Sequence, residues 1–187
     1  HLKELINKKS LREVSICLRN IDNFTRGGAL ADYEAVYADG ERLQAIWRGK
    51  KTAHITTPAG TDLYMEMNQM EPIIECGIAR NPGDAMAWSD GEVSLGPVIG
   101  TTHGTLVIDG PICYYGCPTI PVELRIEEGR IVEVVGGDAK ICKEIRRQIA
   151  EVKDSDNIAE IGIGLNPACM FNGDFEEEKK ARGTCHI

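Results

Sequence analysis

The chain has 187 residues, 29 acidic against 21 basic, and a net charge of −8 at pH 7. That length can bury a core of its own, and the acidic balance argues against a nucleic-acid partner, because a phosphate-binding surface needs a clustered excess of Lys and Arg. No run approaches 18 apolar residues and the first thirty lack a signal-peptide apolar core, so the expectation is a cytoplasmic protein with no membrane partner.

In chain order, Ser10-Leu-Arg-Glu13 has the capping-box pattern, but the apolar Val14 to Leu18 that follows reads equally as strand or helix. Ala29 to Trp47 spaces its apolar residues as a helix, with Asp39-Gly40 as a candidate interruption and Gly49 as its end. From Lys51 the texture becomes short β-rich runs: His54–Thr57, Leu63–Met67, Val93–Leu95, Thr105–Asp109, Val122–Ile126 and Ile131–Val135. Glu127-Glu-Gly-Arg130 predicts a hairpin turn, and Asp138 a cap for a helix running to about Val152. A strand, loop, helix and short strand follow from Asn157 to Ile187. Many short strands with few helices predict an α+β fold, a largely antiparallel mixed sheet with a few packed helices. The expected organisation is a single domain over 1–187, with 1–27 as a possible connecting segment.

The seven cysteines are odd in number and scattered through apolar segments, which predicts reduced thiols. Cys113 and Cys117 have a spacing that could chelate, but no second pair lies nearby to complete four ligands.

Two glutamates stand out. Glu92 begins the apolar run Val93-Ser-Leu, and Glu160 sits between Ile158-Ala159 and Ile161-Gly-Ile163. A carboxylate buried in such surroundings costs several kcal/mol unless a cation or hydrogen bonds compensate, whereas period-2 alternation could instead turn each one to solvent. Among the histidines, His54 reads as structural and His1 as incidental. His103, among small residues in Gly100-Thr-Thr-His-Gly-Thr105, reads as a loop histidine able to meet a ligand. His186 would point to one face of a final strand. Glutamate and histidine together suit zinc, cobalt, manganese or iron alike.

The elements Thr57-Pro-Ala-Gly-Thr-Asp-Leu63, Gly91-Glu-Val93, Gly104 to Gly110, Ile158 to Pro167, Glu177-Glu-Lys179 and Gly183-Thr-Cys-His186 resemble the metal-binding domain of the aminopeptidase T/aminopeptidase S, leucyl-aminopeptidase-like metallopeptidases. The resemblance implies Glu92, Glu160 and His186 as metal ligands, a divalent ion such as zinc, cobalt or manganese, a peptide substrate and a homodimer. That family also has an upstream α/β domain and, downstream, a tyrosine and a His-x-Asp motif. The expectation is therefore a fragment of a two-domain protein, whose three ligands alone would hold at most one open, weak site.

The leading functional expectation is a metal-dependent aminopeptidase. The alternative is the related branch of 2,5-dihydroxypyridine ring-cleaving dioxygenases, which resemblance links to Fe(II), to a histidine matching His186 as iron ligand, and to His103 as a proton-transfer group acting on a small molecule. A metal-poor, non-catalytic scaffold is the third.

Overall fold

The computed structural model describes residues 2–8, 11–16 and 21–187. The elements are α1 (Leu2–Asn7), β1 (Glu13–Ile16), two 3-10 turns (Ile21–Phe24 and Gly27–Leu30), α2 (Tyr33–Trp47), β2 (Thr52–Thr56), β3 (Asp62–Glu66), β4 (Ile73–Glu75), β5 (Ala85–Trp88), β6 (Glu92–Leu95), β7 (His103–Ile108), β8 (Val122–Glu127), β9 (Arg130–Gly136), α3 (Ala139–Glu151), β10 (Ile161–Gly164), α4 (Phe175–Glu178) and β11 (Cys185–His186). The fold is α+β with mostly antiparallel strands, as the sequence predicts. Among the described residues no helix is long and apolar enough to cross a membrane.

Two compact units divide the chain. The first comprises residues 1–48, 71–94 and 162–186, and holds α1, α2, α4, the parallel pair β1–β5 and nearly all of a four-stranded sheet in the order β11-β10-β6-β4. The second comprises residues 49–70, 95–161 and 187, and holds the five-stranded antiparallel sheet β2-β3-β7-β8-β9 with α3.

The second unit is built as its sequence suggests. Alternation in Val122-Glu-Leu-Arg-Ile126 buries Val122, Leu124 and Ile126. Val122 and Leu124 meet Ile141, Cys142 and Ile145 from one face of α3. Asp138 caps α3 by accepting from the backbone N–H groups of Lys140 and Ile141. Glu128 and Gly129, both with positive φ, close the β8–β9 turn.

In the first unit the structure corrects the bounds and continuity of one helix and resolves one open segment. Helix α2 runs unbroken through Asp39-Gly40, capped by Asp32, and starts at Tyr33 rather than Ala29 because Gly27–Leu30 forms a separate 3-10 turn. Gly40 is a packing glycine: a Cβ there would come within 2.7 Å of Ile74 on β4. Val14 and its neighbours form strand β1, while Ser10, Cys17 and Leu18 lie outside the described residues. Strands β4 and β5 carry too little alternation to be seen in the sequence, and β4 matters most because it ends on Glu75.

Candidate metal centre

The four-stranded sheet brings a row of chemically active residues together in the first unit. Glu75 on β4 stands opposite Glu92 on β6, and Gly162 on β10 stands opposite His186 on β11. Asp90 lies two residues before Glu92, just outside β6, and both side chains meet the same lysine. The 90–92 segment is fixed by its neighbours. The Leu165 N–H donates to the Gly91 carbonyl at 2.7 Å, and the buried Asn166 amide donates to the Asp90 carbonyl at 3.0 Å.

Lys180, in the turn after α4, enters this row from the side. Its Nζ lies 2.7 Å from Asp90 Oδ1, 2.5 Å from Glu92 Oε1 and 3.6 Å from Glu75 Oε2. Asp90 and Glu92 are fully buried and the Lys180 side chain is 6% exposed. Three carboxylates face one ammonium, an excess of two negative charges when all are ionised. Burial opposes the charge on Lys180, but Asp90 and Glu92 outweigh it and hold the ammonium above its ordinary range.

The carboxylates respond differently. Burial, partly offset by Lys180, pushes Glu92 up to about 8 and also raises Asp90. Although its own burial favours the neutral form, Glu75 lies below its ordinary value, because it accepts a hydrogen bond from Glu92 and feels Lys180. Glu75 and Glu92 therefore titrate as a pair, Glu92 holding its proton to higher pH than Glu75. Like charges set directly opposite on neighbouring strands are unfavourable, and the Lys180 ammonium beside both carboxylates relieves that repulsion.

His186 completes the row. Its ring passes over Gly162, where any Cβ would collide with the imidazole. Nε2 ends 3.1 Å from Glu92 Oε2. Neither atom makes a hydrogen bond, and Asp90 Oδ2 and His186 Nδ1 are likewise buried without a well-formed one. Burial first, then the positive charges of Lys179 and Lys180, push His186 down to about 4, which leaves a neutral imidazole at neutral pH. Two ligand atoms each about 2.1 Å from a common ion sit about 3 Å apart. An orphaned carboxylate oxygen and an orphaned neutral imidazole nitrogen at that separation, beside a net negative cluster, fit a divalent cation. Glu75, Asp90 and Glu92 also offer oxygens within 4.8 Å of one another, though Lys180 already serves that group.

The sequence-based candidates lie on different elements. Glu92 and His186 come together in the first unit. Glu160 precedes β10 by one residue, is exposed, and belongs to the second unit, so it is not the buried strand carboxylate that its apolar neighbours suggest. His103 is also in the second unit and opens β7 instead of lying in a loop. The following Gly104, with positive φ, lets that strand approach the Asp62 carbonyl too closely for any side chain. The His103 Nδ1 lies 3.1 Å from the Thr101 carbonyl, and its ring packs against Tyr64 at 5.0 Å. Glu75, Asp90 and Lys180 were missed. The acid pair Asp90-Gly-Glu92 was a readable signal, but nothing local distinguishes Lys180 from its neighbour Lys179. Cys113 and Cys117 belong to no group able to hold a metal among the described residues.

Residues 17–185 match the family described as NicX: 2,5-dihydroxypyridine 5,6-dioxygenase. The chain belongs to that family. A 2,5-dihydroxypyridine 5,6-dioxygenase of Pseudomonas putida (strain KT2440) is 27% identical over 132 residues, which is 68% of this chain and 37% of that relative. The solved structure of the 2,5-dihydroxypyridine dioxygenase from Pseudomonas putida KT2440 superposes with a TM-score of 0.80 at 18% identity, covering 96% of this chain and 54% of that one. Wild-type AmpT from Thermus thermophilus superposes with a TM-score of 0.56 at 17% identity, covering 86% and 42%. The chain thus spans about a third to a half of the length of these relatives. Both branches anticipated from the sequence share the fold, and the family match falls on the dioxygenase branch, which the sequence reading placed second.

Proposed function

We propose that this chain is the metal-binding part of a non-haem Fe(II) dioxygenase that opens a dihydroxypyridine-type ring. The observation that carries the reading is the family match over residues 17–185, joined to the orphaned Glu92 Oε2 and His186 Nε2 at 3.1 Å. Iron(II), when bound, would supply the redox chemistry that lets oxygen react with an electron-rich ring.

The chain's own residues have separable tasks in this reading. Glu92 and His186 present one oxygen and one nitrogen lone pair to the ion. Glu160 is the third ligand in this reading. Glu75 and Asp90 add negative charge that favours a cation, and burial keeps His186 unprotonated and ready to ligate. His103, whose Nδ1 faces the Thr101 carbonyl and so carries the hydrogen when the ring is neutral, has Nε2 left to take a proton from a hydroxyl of the ring.

The test uses the full-length protein, loaded with Fe(II) without oxygen and then mixed with 2,5-dihydroxypyridine in aerated buffer. Stoichiometric oxygen uptake with loss of the ring absorbance is expected. No oxygen uptake, with release of N-terminal residues from short peptides by the cobalt- or zinc-loaded protein, would establish the peptidase instead. That second reading rests on the shared fold with AmpT and on the acidic group Glu75, Asp90 and Glu92.

A further inference from the structure

Within the first unit the two oxygens of the Glu92 carboxylate have different surroundings. Oε1 lies 2.5 Å from Lys180 Nζ, whereas Oε2 makes no hydrogen bond and lies 3.1 Å from His186 Nε2. The ammonium is held from its other side by Asp90 Oδ1 at 2.7 Å. Its backbone is fixed as well. The Lys180 carbonyl accepts from the Asn166 N–H at 2.9 Å, and the Lys180 N–H donates to the Glu177 carbonyl at 3.1 Å.

We propose that Lys180 is a positioning residue of the metal site: it grips Glu92 by Oε1, so that Oε2 alone is presented toward His186 and Glu92 ligates through a single oxygen. This inference rests on the metal-site reading above. The terminal torsion of a glutamate is broad, and a carboxylate left to itself can turn both oxygens onto a divalent ion. Holding one oxygen away keeps a coordination position free, as a site that must admit both substrate and oxygen requires.

A lysine that only balances charge and a lysine that orients a ligand make opposite predictions. Removing a positive charge from beside a dication tightens binding if charge is all that matters. Losing a partner that orients a ligand weakens metal affinity about 10- to 100-fold.

The deciding measurement is Mn(II) binding to the full-length protein and to its Lys180→Met variant, followed by electron paramagnetic resonance of free and bound Mn(II). Circular dichroism of each protein confirms that it is folded. The expected result is affinity at least about tenfold weaker in the variant, with an altered bound-ion spectrum. A smaller loss, or tighter binding, overturns the proposal. Should Lys180→Met fail to fold, Lys180→Gln, which keeps a hydrogen-bond donor for Asp90, is read against the same threshold. Wild-type protein that binds neither Mn(II) nor Fe(II) would instead overturn the metal reading itself, an outcome visible before any variant is compared.

Discussion

His186 reaches Glu92 only because Gly162, its partner across the β10–β11 ladder, has no side chain. Gly162→Ala should therefore act on the metal site before it acts on the fold. The imidazole must swing away, and metal affinity is expected to fall about 10- to 100-fold. The overpacking should cost about 1–3 kcal/mol of stability. Isothermal titration with Mn(II), together with a urea unfolding curve, measures both; unchanged affinity would show that His186 does not ligate.

Metal affinity should rise with pH and then level off. Glu92, pushed up to about 8, holds a proton that a cation must displace, while His186, pushed down to about 4, is already neutral. Affinity is expected to climb at most about tenfold per pH unit between 6.5 and 8 and to flatten above 8. Glu92→Gln should abolish the slope along with most of the binding.

The metal-free protein should show the opposite trend in stability. Glu92 has a folded pKa above its unfolded value, so the stability it contributes is present below the usual glutamate range and is lost as pH rises toward about 8. His186 has a folded pKa below its unfolded value, so its contribution is present above about 6.5 and is lost as pH falls toward about 4. Between pH 6.5 and 8 the His186 contribution is constant while that of Glu92 is still being lost. The melting temperature of chelator-treated protein is expected to fall over that window, and to fall less in Glu92→Gln.

His103→Asn separates chemistry from metal binding. If His103 handles the substrate proton, turnover of 2,5-dihydroxypyridine should drop about 10²- to 10⁴-fold with Mn(II) affinity unchanged. Equal losses in turnover and affinity would place His103 among groups that support the site structurally.

Glu177 supplies the converse case. Buried beside the 3-10 turn, it accepts from the backbone N–H groups of Gly28 and Met170 at 3.0 Å each and from Asn172 Nδ2 at 2.7 Å. Glu177→Ala should destabilise by about 2–5 kcal/mol through the donors it strands, read from denaturant unfolding. A metal affinity that stays put in the surviving folded fraction would mark it as scaffold.

Legibility in the sequence followed the kind of interaction involved. Strand β8 and helix α3 were readable because a period of 2 or 3.6 is written in consecutive residues, and the cap at Asp138 because capping is local. Glu92 and His186 were readable through motif resemblance. Lys180 was not, since its partners lie some ninety and more residues earlier in the chain and an adjacent lysine, Lys179, pairs with Glu176. His103 misled because glycine and threonine neighbours signal a loop, whereas Gly104 serves a close strand approach. Gly40 misled in the same way, its missing side chain making room for Ile74.

The interior of the first unit is unusual in what it hides: Asp90, Glu92, Asn166, Glu177, Glu178 and Lys180 are all buried there. A core of that kind gathers more negative than positive charge, so a cation bound there would serve as a structural part as well as a reagent. Loading and survival then become one event. Cells short of metal should lose this protein to proteolysis rather than accumulate an idle form, and its abundance under metal starvation, at unchanged transcript level, would report that directly.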